Sequence, residues 1–353
     1  MIFSLFRKLE GPKWFIAFFI CLLLFLPISS FEMFIIKSNY CIAKSITDFL
    51  DFLPTAIEFF ISFIFIFISI SIANTYLNLN DINYRRNYLP LLFSFIFISL
   101  FNIPFFSFLV ALSVFLLFVS LWQLTDIIKD EKNLICLFNA SLLLGILSLI
   151  FPHISIYLLL AYIVLLIFRI YYTRNWIMLL IGFSLPFLYY FSYQFIINDM
   201  FDFSRYLTLS EEKIHSFFTI DNLIKDNYIW ITTGFLSFIG FFKTISKAGE
   251  AKINVRKSTS VFLWFFVISI VLLFINNFCY YMIILIIAFP VGFFIYTSLY
   301  KLLNKKFIQH IIDISFIIYM LLIVYYFVTI HPTNYELSEL RIKKQFVRHL
   351  TNS

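Results

Sequence analysis

The strongest restriction on this chain is a set of uncharged runs too long for one membrane crossing. Residues 133–168, between Lys132 and Arg169, hold 36 positions without a formal charge apart from the titratable His153. One crossing takes about 20 residues, so the run makes two helices. Proline lacks an N–H and disfavours helix at the residue before it, which puts the fold at Pro152 and His153 and stops the first helix near Phe151. The expected result is a tight hairpin whose tip barely leaves the lipid. Arg169 and Arg174 bracket the next short connection. Residues 176–197 then form a further span, with Trp176 at the interface and a kink expected at Pro186.

The same reading extends along the chain. The 39 uncharged residues 87–125 fold near Asn102 and Pro104, and the 43 residues 258–300 turn near Asn276 and Asn277. Single spans occupy residues 14–30, 59–79 and 307–330. The first has a basic start but no convincing cleavage site after it, so it reads as an uncleaved anchor. Residues 228–242 are marginal for crossing unless the bilayer thins or flanking side chains snorkel. The expected fold is all-α, a polytopic transmembrane bundle of about eleven spans.

Composition agrees. Hydrophobic residues make up 62% of the chain and charged ones 13%, against about a quarter charged in soluble domains. The 51 phenylalanines are spread over every apolar segment, which marks a general lipid-facing usage and not an aromatic cage. The net charge of +7 would point to nucleic acid in a soluble protein, but here the cations sit in short connections, so topology accounts for them and no nucleic-acid partner is expected. Cys21, Cys41, Cys136 and Cys279 lie far apart in sequence and give no disulfide framework or zinc spacing.

Orientation follows from lysine and arginine. With the amino terminus cytoplasmic, the inner segments hold 17 of them and the outer loops 5, namely Lys37, Lys44, Arg205, Lys213 and Lys225. Arg341, Lys343, Lys344 and Arg348 fall outside on an eleven-span count, against the rule, and removing the weak span at 228–242 restores agreement. The expected location is the bacterial inner membrane, with membrane lipids as the surrounding partner. The chain divides into a core membrane module (1–242), a basic cytoplasmic loop (243–257), carboxy-terminal spans (258–330) and a polar tail (331–353).

Outside the spans, Ile2, Leu5, Phe6 and Leu9 recur at helical spacing opposite Arg7 and Lys8, as in a helix lying on the membrane surface. In the loop 31–54, Ile42, Ile46, Phe49, Leu50 and Leu53 share one helical face while Lys44, Asp48 and Asp51 share the other. Residues 199–227 carry six acidic side chains, three basic ones and His215. Asp313 intrudes into the last span, where a central carboxylate costs about 2.5–3.5 kcal/mol. Its neighbours Lys306 and His310 offer pairing or snorkelling.

Two long outer loops, the first and the fourth, and two that are mere tips form a layout that resembles polyprenyl-phosphate-dependent glycosyltransferases of the GT-C type over roughly residues 1–242. That resemblance implies a general base in the first outer loop, here Asp48, or else Asp51 or Glu32, activating an acceptor. It also implies cations in the fourth loop, Arg205 and Lys213, holding the phosphate of a polyprenyl-linked sugar donor for cell-envelope glycan assembly. Arg169 and Arg174 would contact lipid phosphates on the inner side.

The segments SLFRK (4–8), FNASLLLGILSLIFP (138–152) and RNWIMLLIGFSLP (174–186) further resemble a family of multi-span inner-membrane proteins from one Gram-negative lineage. Its members are sometimes labelled carotene-cleaving oxygenases. That label implies iron held by several histidines, whereas His153, His215, His310, His331 and His349 have no ligand spacing, so no metal is expected. No P-loop, G-x-G-x-x-G, H-E-x-x-H or G-x-S-x-G motif occurs, so no cofactor is expected, and nucleotide-driven transport by this chain alone is not expected. The alternative to an enzyme is a non-catalytic membrane scaffold, assembly factor or permease subunit.

Overall fold

The computed structural model describes residues 6, 13–25, 55–83, 87–100, 108–126, 134–198, 227–275, 280–303, 313–314 and 317–318. Among them the chain is helical, without strands. The helices are α1 (Lys13–Phe25), α2 (Thr55–Leu79), α3 (Leu89–Leu100), α4 (Phe108–Asp126) and α5 (Leu134–Ile150). They continue as α6 (Tyr157–Phe168), α7 (Thr173–Asn198), α8 (Asn227–Glu250), α9 (Ile253–Ile275) and α10 (Tyr280–Leu303). These helices overlap the ten apolar stretches that the sequence marks before residue 301. Five of them, α2, α4, α7, α9 and α10, are long and apolar enough to cross a membrane by themselves. The eleventh expected span lies outside the described residues except for helical pieces at 313–314 and 317–318.

The break at Pro152 falls where the sequence puts it. Phe151 is extended (φ −129°, ψ 95°), and a 3₁₀ turn, Pro152–Ile156, leads straight into α6. This is the conformation that proline imposes on its predecessor. The two arms nevertheless do not lie along each other as a hairpin would: α5 runs against α7 and α4, and α6 against α9. At the far end of α6, Arg169 takes the left-handed conformation (φ 61°, ψ 38°), and the Ile170 N–H returns to the Leu165 carbonyl at 2.9 Å, closing the helix. α7 then runs as one helix through Pro186.

Side-chain contacts fix the relative direction of three helix pairs. Glu58 and Ile72 on α2 lie near Phe108 and Phe118 on α4, so these two run parallel. Phe168 and Tyr157 on α6 meet Lys257 and Ser269 on α9, so these two are antiparallel. Asn87 and Ser94, before and within α3, meet Tyr296 and Gly292 on α10, again antiparallel. Strict alternation of direction along the chain satisfies all three, as a bundle of successive crossings requires.

In lipid, apolar surface gives little drive for helices to meet, and close approach depends on small residues. Two seams show this. A Cβ added to Gly182 of α7 would lie 2.8 Å from the Phe138 carbonyl oxygen and nearer still to the Ser141 hydroxyl. One added to Gly145 of α5 would lie 2.5 Å from the Phe183 carbonyl oxygen. The segments 138–152 and 174–186 are thus the two sides of one tight helix pair. The second seam surrounds α10, where Gly292 meets the backbone of Ser94 on α3 and Gly240 of α8 meets the carbonyl of Phe294. Helix α10 is the central post, with 94% of its apolar window inside protein, whereas α7 lies at the periphery with 17%.

Phe6 is fully buried, and its carbonyl accepts the Tyr88 N–H at 2.8 Å. At that residue the amino-terminal segment docks on the protein at the start of α3, which corrects the expectation that Phe6 faces lipid.

Candidate functional site

The alternating helices give the bundle two ends of opposite character. One end gathers every lysine and arginine among the described residues: Lys13, Arg169, Arg174, the five of residues 243–257, and Lys301. The stretch 243–257, expected as a loop, is helical apart from a break at Ala251 and Lys252, because α8 continues to Glu250 and α9 starts at Ile253. At the opposite end α1 stops at Phe25 and α2 starts at Thr55, and α7 stops at Asn198 and α8 starts at Asn227.

At the basic end a network of asparagines joins the helices. The backbone carbonyl of Asn87 accepts the side-chain amides of Asn74 (3.0 Å) and Asn78 (3.1 Å). The Asn78 side-chain oxygen in turn accepts from the Asn83 amide and from the Asn87 N–H. Asn87 donates its own amide to the Tyr296 hydroxyl at 2.7 Å. Nearby, the Tyr76 hydroxyl donates to the Ser258 carbonyl at 2.9 Å, tying α2 to α9. Lys247 of α8 donates to the Ile82 carbonyl at 2.7 Å, and Lys243 donates to the Ser298 carbonyl at 2.8 Å. Burial pushes the Lys247 ammonium down to about 8, with Asp81 pulling it back upward. Asp81 itself has φ 52°, a left-handed turn residue after α2.

Of the residues expected to form a site, Asp48, Asp51, Glu32, Arg205 and Lys213 lie outside the described residues. Arg169 and Arg174 stand exposed at the basic end, one closing α6 and the other in the first turn of α7. Arg169 directly follows Phe168, whose ring lies under the Lys257 ammonium at 5.5 Å from its centroid. Comparison with protein-family models, curated proteins and solved structures finds no match to this chain. The chemistry is therefore read from the residues themselves.

Two features were overlooked in the sequence. Glu58, in the first turn of α2 at the end opposite the cations, is only 9% exposed, and its Oε1 accepts the Phe108 N–H that opens α4 at 3.0 Å. It thereby caps a second helix and sits at the positive pole of its own. The sequence signal was an acid one turn into an apolar run. The other feature is the asparagine network, whose signal was the recurrence of asparagine at 74, 78, 80, 83 and 87 beside Arg85 and Arg86.

Between α2, α4, α9 and α10 lies a small cleft of about 30 Å³ lined by Ile72, Tyr76, Trp122, Val261, Phe265 and Phe289, among others. The polar atoms on its wall are turned away and engaged: Tyr76 on Ser258, and Thr125 on the Trp122 carbonyl at 2.7 Å. The cleft offers hydrocarbon contact and no reacting group. Among the described residues no group of three or more histidine, cysteine, aspartate or glutamate side chains could hold a metal ion.

Proposed function

We propose that this chain is a multi-pass protein of the bacterial inner membrane that transfers a sugar from a polyprenyl-phosphate carrier to a cell-envelope acceptor. The reaction takes place at the face opposite the basic end. The supporting observation is one of placement: the helix ends that bound 26–54 and 199–226, namely Phe25, Thr55, Asn198 and Asn227, lie at the end that holds none of the described lysines and arginines. By the positive-inside rule that end is the outer one and the amino terminus is cytoplasmic. The resemblance to GT-C enzymes gives the role of base to Asp48, or to Asp51 or Glu32, with Arg205 and Lys213 toward the lipid phosphate.

The test is complementation by Asp48→Asn and Asp51→Asn in cells lacking the protein, scored on the envelope glycan profile with membrane abundance measured in parallel. Loss of a glycan band at normal abundance supports catalysis. Wild-type behaviour of both variants and of the double variant removes the first loop's aspartates from the mechanism. The second reading is a non-catalytic scaffold, assembly factor or permease subunit. It is favoured by the apolar walls of the cleft and by the encasement of α10, which suit a rigid frame.

A further inference from the structure

We infer that the asparagine network at the basic end is a site for ordered water, held inside the protein as a hydrogen-bond donor to the side-chain oxygens of Asn74, Asn83 and Asn87. These three oxygens are buried and receive no hydrogen bond from the described residues. Their residues are at most 6% exposed, so bulk solvent does not reach them. A buried acceptor left without a donor costs its full desolvation. Three of them in one network call for a donor, and buried waters typically make about three hydrogen bonds to such groups.

The network itself prevents the amides from being turned round. Asn78 is pinned from both sides by the backbone of Asn87: its nitrogen faces the carbonyl at 3.1 Å and its oxygen faces the N–H at 3.3 Å. Asn83 must then present its nitrogen to the Asn78 oxygen, and Asn74 must present its nitrogen to the Asn87 carbonyl. The free oxygens of Asn74 and Asn83 are therefore acceptors in any arrangement that keeps these bonds. Asn87 differs, because the Tyr296 hydroxyl can give or take a proton. Reversing that amide would leave a nitrogen seeking an acceptor in place of an oxygen seeking a donor. Water satisfies both cases, whereas a metal cation satisfies only one. The Lys247 ammonium on the Ile82 carbonyl, one residue before Asn83, adds repulsion against a cation. The inference stands apart from the glycosyltransferase reading, because it concerns the joint that ties the turn after α2 to α10.

Hydroxyl-radical labelling by X-ray radiolysis tests it on the unaltered protein in detergent, since a water held beside a buried tyrosine generates the radical in place. Tyr296 and Tyr157 are a matched pair: they are 0% and 1% exposed, and the hydroxyl of each is bonded to a side chain, that of Asn87 or of Ser269. Tyr296 adjoins the network, and Tyr157 opens α6 at the opposite end of the bundle. Tyr296 is expected to be labelled severalfold faster than Tyr157. After rapid dilution into water of the heavy oxygen isotope, it should take up that isotope later than Tyr171, which is 67% exposed. Equal labelling of the two buried tyrosines, or uptake at Tyr296 as fast as at Tyr171, overturns the inference. In the double variant Asn74→Leu with Asn83→Leu, labelling of Tyr296 should fall to the level of Tyr157, and an undiminished rate there counts against it. A density map of the unaltered protein decides independently of any variant. Density about 2.5–3.0 Å from the Asn74 and Asn83 oxygens, the range of O–H···O bonds, is expected. A metal ion coordinated by those oxygens, a side chain of residues 84–86 in that place, or no density there overturns the inference.

Discussion

The amide of Asn87 donates to the hydroxyl of Tyr296 across 2.7 Å, joining the turn after α2 to the central helix α10. Both residues are buried, so each leaves the other's polar group without water if removed. Asn87→Ala and Tyr296→Phe are each expected to destabilise the folded protein, and together by less than their sum. The coupling should be about 0.5–1.5 kcal/mol, the range of hydrogen bonds inside membrane proteins. Thermal unfolding of the four proteins in one detergent measures it, and strict additivity would show that the contact contributes nothing.

Gly182 and Gly234 are both helical glycines in peripheral helices, yet they face different surroundings. A Cβ at Gly182 meets the backbone carbonyl of Phe138, which cannot move without separating α5 from α7, while one at Gly234 meets nothing within 4 Å. Gly182→Ala is expected to cost about 1–3 kcal/mol through overpacking. Gly234→Ala should be neutral or stabilising by up to about 1 kcal/mol from helix propensity. Equal melting temperatures for the two variants would contradict the tight seam.

The position of each helix was legible in the sequence because charge and proline bound the apolar runs, as at Pro152 and at Arg169. Their arrangement was not. In water an apolar stripe tells which face of a helix is inside, but in lipid both the buried α10 and the exposed α7 are apolar all round. The seams at Gly145 and Gly292 depend on small residues whose partners lie on distant segments, and hydropathy carries no record of such pairs. The asparagines of residues 74–87 read as a polar connection because amides are common in turns. Only their contacts with Tyr296 and with one another show that they bind helix to helix. The expected acidic and basic site residues of the long connections stay with the sequence argument alone.

Lys247 gives a pH dependence of definite sign. Its ammonium titrates near 8 when folded, against the usual 10.5, because burial disfavours the charge. Between those two values the unfolded chain binds the proton and the folded protein does not, so stability rises with pH across that window. Below it both states are charged and Lys247 adds no slope. Relative to Lys247→Met, the wild type should therefore gain stability from about pH 8 to 10 and run parallel to it below pH 7. Chemical unfolding of both proteins over that range gives the difference directly, and a flat difference above pH 8 contradicts the depressed value.

Glu58 bridges two helix starts, which makes its role separable by removing the donor instead of the acceptor. Phe108 is the first residue of α4, and its N–H is the group that Glu58 receives at 3.0 Å. Proline is tolerated at a first helical position and has no N–H to give. In the natural background Glu58→Ala is expected to cost about 0.5–2 kcal/mol, the range for a lost cap. Glu58→Gln should cost less, since its amide oxygen still accepts. In a Phe108→Pro background the same Glu58→Ala change should cost little, because there is no longer a donor to leave unpaired. Loss of the Phe108 ring against Phe65 is common to both members of that second pair and cancels. Melting of the four proteins in detergent decides the matter: an undiminished cost in the Phe108→Pro background would mean that the Glu58 carboxylate stabilises the bundle through its own helix and not by capping α4.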